Sequence, residues 1–276
     1  MTHDPLPPIV DAAAVAERGD IIWCDVRWYL DRRPGRDAYA QWHIPGAIYV
    51  DLDEHLAFLP TKSQGRHPMP SAASFAASLG ALGIGPDDTV VAYDDQHGMS
   101  AGRLVWMLRI TGHDAALLDG GLQAWPGQFE TGHNRRPSVF HPIRPFPSEL
   151  LVDIDGAAAA GASPATSLVD SRAPSRYRGD EEPVDPRAGH IPGAINLPFG
   201  DNIGDDGRFL STDELRSRFE QAGLTDPAET VFYCGSGVSA CNNLLAYEHA
   251  GLGQARLYAG SWSQWSNDPE RPISEG

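Results

Sequence analysis

The chain has 276 residues, a formal net charge of −16 at pH 7 and three cysteines, Cys24, Cys234 and Cys241. This length suits two domains of ordinary size, and so acidic a surface excludes nucleic acid and anionic membranes as expected partners. A sparse, odd number of cysteines argues against a disulfide framework and for a reducing compartment. The N-terminus has no basic stretch before an apolar run, and no apolar run is long enough to span a bilayer, so we expect a cytoplasmic protein.

Four sequence markers follow one another in the first half of the chain. They are CDVR at 24–27, HIPGA at 43–47, TVVAYDD at 89–95 and LLDGGLQAW at 117–125. The β-branched and aromatic run TVVAY predicts a strand. SAASFAASLGALG at 71–83 predicts a helix, because its apolar residues keep helical spacing between a serine and a glycine. Residues 131–148, rich in proline, predict an extended linker.

The second half repeats the same markers in the same order. They are VDSR at 169–172, HIPGA at 190–194, TVFYC at 230–234 and LYAGSWSQW at 257–265. STDELRSRFEQAGL at 211–224 predicts a helix with a capping box formed by Ser211 and Glu214. A repeated set of four markers indicates a duplicated domain. We therefore expect an α/β protein with domains at 1–130 and 149–276, each a mostly parallel sheet with helices on both faces.

The two copies differ after the strand that carries the third marker. The second copy continues from TVFY into CGSGVSA, beginning at Cys234, whereas the first copy has Asp94 or Asp95 at that place. Gly235 and Gly237 allow a tightly curled loop, and such a loop before a helix points several backbone N–H groups at one spot. This arrangement favours a thiolate, or an anionic persulfide, on Cys234. The second copy is therefore expected to be the reactive one.

The other two cysteines and the repeated histidines have simpler interpretations. Cys24 lies in a predicted core strand, and Cys241 lies two helical turns after Cys234 on the inner side of a helix, with a role as resolving cysteine as the alternative. Both copies contain the histidine of HIPGA, His43 and His190, although only one copy has the cysteine. We expect those histidines to be structural.

The duplicated HIPGA, the aspartate in place of cysteine and the strand–loop–helix unit around Cys234 resemble the tandem rhodanese-domain sulfurtransferases. The resemblance covers residues 5–270 and implies a silent first domain and a persulfide-carrying cysteine in the second. In this family, a cationic loop after the cysteine goes with thiosulfate, and CG[ST]GV[ST]A goes with mercaptopyruvate. The loop CGSGVSA therefore resembles the mercaptopyruvate-preferring branch. The implied reaction moves sulfur from 3-mercaptopyruvate to a thiol or cyanide acceptor and releases pyruvate.

The resemblance also implies a set of site residues. A 2-oxo carboxylate suits recognition by arginines, and SRYRGDEEPVDPR at 175–187, which is longer than the family's GRF…EPR segment, supplies Arg176 and Arg187. The branch uses a loop serine with a histidine and an aspartate from the first copy, which implies catalytic roles for Ser236, His67 and Asp53 beside Cys234. The remaining implied substrate contacts are backbone N–H groups of the loop, at Gly235, Gly237, Val238 and Ser239.

Three alternatives remain open. The same scaffold could act as a thiosulfate sulfurtransferase with a different donor. A cysteine phosphatase or arsenate reductase would need an arginine six residues after the cysteine, where this chain has Ala240. A non-enzymatic binding module would have no need of the nucleophile. No cofactor and no metal site are expected; the expected partners are a small anionic sulfur donor and a thiol acceptor, such as a thioredoxin-like dithiol, or cyanide.

Overall fold

A computed structural model describes residues 5–15 and 18–276. These residues form two compact units, one of the described residues up to Ala57 with Pro70–Phe146 and the other of Phe58–Met69 with Pro147–Gly276. This division differs from the boundaries predicted at 130 and 149 in two respects. The segment Phe58–Met69 belongs to the second unit although it lies in the first half of the sequence. The predicted linker belongs to the first unit as far as Phe146.

The first unit is built on a five-stranded parallel sheet in the order β1-β5-β4-β2-β3. Its strands are β1 Ile9–Val10, β2 Ile21–Asp25, β3 Ile48–Tyr49, β4 Thr89–Tyr93 and β5 Ala115–Leu118. Its helices are α1 Ala12–Val15, α2 Gly35–Gln41, α3 Leu52–His55, α4 Ala72–Ala81 and α5 Ala101–Ile110. The central strand β4 and the helix α4 match the predicted strand and helix. All five side chains of β4 are buried, and because they alternate between the two faces, both faces of the sheet are covered.

The second unit repeats this topology with the order β6-β10-β9-β7-β8, again with parallel pairing. Its strands are β6 Leu151–Val152, β7 Ser167–Asp170, β8 Ile195–Asn196, β9 Thr230–Tyr233 and β10 Arg256–Tyr258. Its helices are α6 Ile154–Ala162, α7 Pro174–Arg178, α8 Thr212–Gln221, α9 Ala240–His249 and α10 Ser261–Trp265. Helix α8 begins after Ser211 with the predicted capping box to Glu214. Two α/β domains of equal strand order confirm the predicted fold class.

Buried ion pairs show how closely the copies correspond. Arg27 donates to Asp25 at the end of β2, and Arg172 donates in the same way to Asp170 at the end of β7. Each arginine also reaches a backbone carbonyl, of Trp42 and Gly189 respectively. Because an unpaired buried charge is strongly destabilising, both partners of each pair are needed. These pairs therefore explain CDVR and VDSR as structural markers.

The histidines of the two HIPGA markers are also structural. The ring of His43 stacks on Tyr39 with centroids 4.1 Å apart, and His190 stacks on Tyr177 with centroids 3.8 Å apart. In each case Nδ1 of the histidine lies 2.8 Å from the tyrosine's carbonyl oxygen. The first HIPGA is thus held by a stacked, hydrogen-bonded pair, and so is the second.

Residues 131–146 run as extended chain along the first unit. Val139 donates to the carbonyl of Gly80, and Arg144 donates to the carbonyls of Thr111 and Gly112. The Nε2 atoms of His113 and His141 lie 2.8 Å apart. The segment is therefore fastened by backbone and side-chain hydrogen bonds. Within residues 5–15 and 18–276, no helix is long and apolar enough to cross a membrane.

Candidate active site

Cys234 lies at the carboxyl end of the central strand β9, immediately before the loop that leads into α9. Parallel α/β sheets bind ligands at this end of their strands. The cysteine side chain is only 1% exposed, as expected for a residue that continues a buried strand. Cys24 and Cys241 are fully buried as well, so burial alone does not distinguish the candidate nucleophile. The neighbours of Cys234 distinguish it.

The start of α10 holds the cysteine's backbone in place. The N–H of Cys234 donates to Oγ of Ser261 at 3.1 Å, and its carbonyl accepts from the N–H of Trp262 at 3.0 Å. Ser261 has a φ of +53°, which is unfavourable for a residue with a side chain. Its hydroxyl compensates by linking Cys234 to the carbonyl of Tyr258. We interpret this strained serine as a support for the cysteine. The role of Ser261 was not predicted from the sequence.

Gly237 gives the cysteine loop its curvature. Its φ is +73°, and a Cβ at this position would lie 2.4 Å from the carbonyl oxygen of Ala259. Only glycine fits both conditions. Val238 is nearly buried, and Ser239 precedes the first residue of α9. The loop therefore ends at a helix N-terminus, as the sequence predicted.

The corresponding loop of the first unit shows what this geometry can bind. Asp94 directly follows β4, as Cys234 follows β9. The Asp94 carboxylate accepts four backbone N–H groups at 2.8–2.9 Å, from Gln96, Gly98, Ser100 and Ala101. The first copy thus contains an anion-binding loop filled by its own carboxylate.

Two guanidinium groups lie beside the residue that follows Cys234. A Cβ built on Gly235 would be 3.3 Å from Nη2 of Arg66 and 3.4 Å from Nη1 of Arg176. Nε of Arg66 is buried and has no hydrogen-bond partner in the described part of the chain. Although the loop itself contains no cation, positive charge reaches it from two other segments of the same unit.

Arg66 was not among the predicted site residues. It reaches the loop because its backbone N–H donates to Oγ of Ser263 at 3.0 Å, while Gln264 donates to the carbonyl of Ser63. Gly65, with a φ of +93°, packs against the carbonyl of Gly260. The position of Arg66 directly before His67, a predicted catalytic residue, was a signal in the sequence that it could lie at the site. Only the fold shows that the segment 63–67 lies on the start of α10.

Two buried carboxylates hold these arginines. Glu182 accepts two short hydrogen bonds from Nη2 and one from Nε of Arg176, and Arg172 also reaches it. Asp185 bridges the two site arginines, accepting from Arg66 at 2.7 Å and from Arg176 at 3.2 Å. The side chains of Glu182 and Asp185 are 4% and 3% exposed. The arginine pair is therefore preorganised by charge-assisted hydrogen bonds.

Ser236 and His67, both predicted catalytic residues, are brought together. Nδ1 of His67 lies 2.8 Å from Oγ of Ser236, and both side chains are nearly buried. A histidine within hydrogen-bond distance of a hydroxyl can pass a proton through it. Ser236 lies two residues after the cysteine in the same loop, and His67 reaches it from the segment Phe58–Met69 of the same unit.

Two other predicted site residues have different surroundings. The guanidinium of Arg187 donates to four backbone carbonyls at and after the end of α10, of Trp265, Ser266, Asp268 and Arg271. Its role at the substrate stays a prediction. A substrate bound by Arg187 would compete with these four carbonyls for the guanidinium group. Asp53 lies in α3 of the first unit, where Oδ2 accepts from Nε1 of Trp28 at 2.9 Å. Its partnership with His67 also stays a prediction.

Comparison with known proteins agrees with this geometry. The model of the rhodanese-like domain matches residues 10–128 and 153–268. A parallel α/β domain with a cysteine loop of this kind defines a rhodanese-type sulfurtransferase, and the chain belongs to the rhodanese family. In the described residues, no group of three or more His, Cys, Asp or Glu side chains could hold a metal ion.

Proteins named as sulfurtransferases match this chain over almost its whole length. A Pseudomonas aeruginosa protein, provisionally named 3-mercaptopyruvate sulfurtransferase, is 44% identical over 273 residues, covering 96% of this chain and 95% of the relative. The Mycobacterium tuberculosis protein SseB, provisionally named thiosulfate sulfurtransferase, is 41% identical over 276 residues with the same coverage. The solved structure of 3-mercaptopyruvate sulfurtransferase from Leishmania major superposes with a TM-score of 0.85 at 33% identity, covering 97% of this chain and 76% of that one. The protein is a sulfurtransferase with a donor and an acceptor substrate.

Proposed function

We propose that the protein takes sulfur from 3-mercaptopyruvate through a persulfide on Cys234, releases pyruvate and passes the sulfur to a thiol or cyanide. The observation that carries this proposal is the pair Arg66 and Arg176 beside Gly235. An α-keto acid presents adjacent carboxylate and keto oxygens, which suit guanidinium groups. The donor's sulfur would then lie next to the cysteine.

The first step forms an S–S bond and breaks a C–S bond. The Cys234 thiolate attacks the donor sulfur, and the C–S electron pair moves onto the methylene carbon, which leaves as the enolate of pyruvate. The enolate takes up one proton and becomes pyruvate. Backbone N–H groups of the loop at Gly235, Gly237, Val238 and Ser239 would stabilise the anionic persulfide, as the equivalent loop of the first unit stabilises the Asp94 carboxylate.

Ser236 and His67 would supply the proton. The serine hydroxyl is hydrogen-bonded to Nδ1 of His67 at 2.8 Å, so it can give its proton to the enolate while the histidine replaces it. Thiosulfate needs no such step, because sulfite leaves as a stable anion. A Ser–His pair beside the cysteine therefore favours a donor whose leaving group is a carbanion-like enolate.

The second half-reaction regenerates the enzyme. An acceptor thiolate attacks the outer sulfur of the persulfide, and the S–S electron pair returns to Cys234. A thioredoxin-like dithiol would then release hydrogen sulfide by closing its own disulfide, and cyanide would leave as thiocyanate. Such two-step covalent transfer predicts ping-pong kinetics.

A second candidate is transfer from thiosulfate. The two guanidinium groups that suit a carboxylate also suit an inorganic dianion, and one of the relatives described above bears a thiosulfate name. Both donors would use the same nucleophile and the same persulfide. The ratio of kcat/KM for the two donors decides between them, and a preference for thiosulfate would overturn our assignment of the donor.

Cys234→Ser tests the nucleophile, with Cys241→Ser as the matched control. Incubation of the wild type with 3-mercaptopyruvate should add about 32 Da, one sulfur atom, which cyanide removes. Cys234→Ser should show neither the adduct nor pyruvate release, whereas Cys241→Ser should show both. Appreciable pyruvate release by Cys234→Ser would reject the scheme.

A further inference from the structure

The carboxylate of Asp185 is hydrogen-bonded to the same two guanidinium groups that lie beside Gly235, through the other Nη atom of each. Its Oδ1 lies 2.7 Å from Nη1 of Arg66, and its Oδ2 lies 3.2 Å from Nη2 of Arg176. Both of these guanidinium groups lie beside Gly235. Asp185 therefore engages the same two cations that the proposed function assigns to the substrate.

Charge makes this overlap consequential. Three arginines, Arg66, Arg172 and Arg176, face three carboxylates, Asp170, Glu182 and Asp185. With all three carboxylates ionised the cluster has no excess positive charge, and the whole chain carries −16. An anionic donor gains little attraction from a neutral cluster. Loss of the Asp185 charge would leave one positive charge for the donor.

The two carboxylates of the segment 179–187, Glu182 and Asp185, differ in the groups that they bind. Glu182 accepts hydrogen bonds from the backbone N–H groups of Val184 and Asp185, at 3.1 Å each, and from the guanidinium of Arg176. It therefore fixes the loop and the arginine together. Asp185 contributes a single bridge between two guanidinium groups, so its side chain can leave without removing the support of Arg176.

Arg66 has hydrogen-bonding capacity that Asp185 does not use. Its Nε is buried without a hydrogen-bond partner among residues 5–15 and 18–276. A buried unpaired donor is unfavourable, and an incoming carboxylate could accept from it. A ligand with two adjacent oxygens would thus satisfy this arginine better than Asp185 does.

We propose that Asp185 is a specificity-determining residue that competes with the donor: its carboxylate fills the arginine pair in the resting enzyme, and a carboxylate-bearing donor must displace it. This inference rests on the proposed function. It explains why a partly exposed pair of arginines would not be occupied by anions that bind weakly. Only a ligand that adds further contacts, such as a keto oxygen and a sulfur beside Cys234, would displace Asp185 efficiently.

Binding without chemistry tests the inference. In a Cys234→Ser background, calorimetry measures Kd for 3-mercaptopyruvate and for pyruvate with Asp185 intact, as Asp185→Asn and as Asp185→Glu. Asn keeps the shape and one acceptor but removes the charge, so Kd for both ligands should fall about tenfold. Asp185→Glu keeps the charge and should not bind more tightly. Asp180→Asn, which changes an exposed partner of Arg178 in the same loop, is the control and should leave Kd unchanged.

An unchanged or weaker Kd for Asp185→Asn would overturn the inference, because Asp185 would then support the arginines without competing. If thermal melting shows that Asp185→Asn does not fold, Asp185→Ser replaces it with the same expectation. Pyruvate release by the wild type is measured in parallel. No release would reject the proposed function itself, whereas release together with an unchanged Kd in the variant would reject only the role of Asp185.

Discussion

Asp94 and Cys234 are equivalent residues of the two copies. Each directly follows the last tyrosine of its central strand, Tyr93 or Tyr233, and that tyrosine's hydroxyl accepts the N–H of the isoleucine in its own HIPGA. The carbonyl of Asp94 accepts from Leu122 as that of Cys234 accepts from Trp262. The structure thereby resolves the choice between Asp94 and Asp95. One copy fills its loop with a carboxylate, and the other presents a sulfur.

Removing the Asp94 carboxylate should destabilise the first unit. Four backbone N–H groups would lose their acceptor, three of them in buried hydrogen bonds, and we expect Asp94→Ala to lower the free energy of unfolding by about 3 kcal/mol. Urea titration measures this, with Asp31→Asn, an exposed partner of Arg33, as the control. The kcat of the folded fraction should be retained. A loss below that of the control would show that the loop does not depend on its internal anion.

Arg66 should contribute to donor binding through its fork of N–H groups. Arg66→Lys keeps the charge but loses Nε and the planar geometry, so kcat/KM for 3-mercaptopyruvate should fall about tenfold or more, chiefly through KM. Arg178→Ala, in the same helix as Arg176 but exposed and paired with Asp180, is the control. Steady-state kinetics by pyruvate release decides. Equal KM values for Arg66→Lys and the wild type would remove Arg66 from the substrate site.

The sequence alone predicted the duplicated fold, because strand composition, helix caps and the repeated HIPGA are local signals. Helix α8 begins directly after Ser211, which forms the predicted capping box with Glu214. The prediction of Cys234 as the nucleophile also rests on local signals, two glycines and the following helix. These features depend on neighbours in sequence, so they can be derived without the fold.

The arginines were harder to assign, because their partners are distant in sequence. The place of Arg187 before HIPGA predicts a role at the substrate, and this role stays a prediction; in the structure the guanidinium donates to carbonyls at and after the end of α10. Arg66 was overlooked, and it reaches Gly235 only because Gly65 and Ser263 fix its segment. Nothing in the spacing of residues reveals a contact between positions 66 and 235.

The Ser236–His67 pair should matter more for one donor than for the other. If the pair protonates the enolate, Ser236→Ala and His67→Gln should each lower kcat for 3-mercaptopyruvate about a hundredfold. The double variant should be little worse than either single variant, because the two residues act as one unit. Sulfur transfer from thiosulfate should fall much less in the same variants. An equal loss with both donors would indicate a structural role for the pair.

The buried histidine pair of the first unit should make stability depend on pH. Burial, together with the charges of Arg144 and His141, lowers the pKa of His113 to about 4, whereas an unfolded histidine titrates near 6.5. Between these values the unfolded chain binds a proton that the folded chain does not. Stability should therefore fall as pH decreases from about 6.5 to about 4, by roughly 2 kcal/mol from this residue. In His113→Gln that part of the slope should disappear from unfolding curves measured at each pH; an identical slope would contradict it.

Gly237 offers the sharpest test of the loop, because two independent conditions exclude any side chain there. Its φ is +73°, and an added Cβ would lie 2.4 Å from the carbonyl oxygen of Ala259. Gly237→Ala should therefore cost more than about 2 kcal/mol of unfolding free energy. Gly200→Ala, where a Cβ would meet nothing within 4 Å, is the control and should change stability little. Because the loop would have to open to admit the Cβ, persulfide formation in the folded variant should also slow, as measured by mass spectrometry over time. Full stability with rapid persulfide formation in Gly237→Ala would show that this curvature is not required.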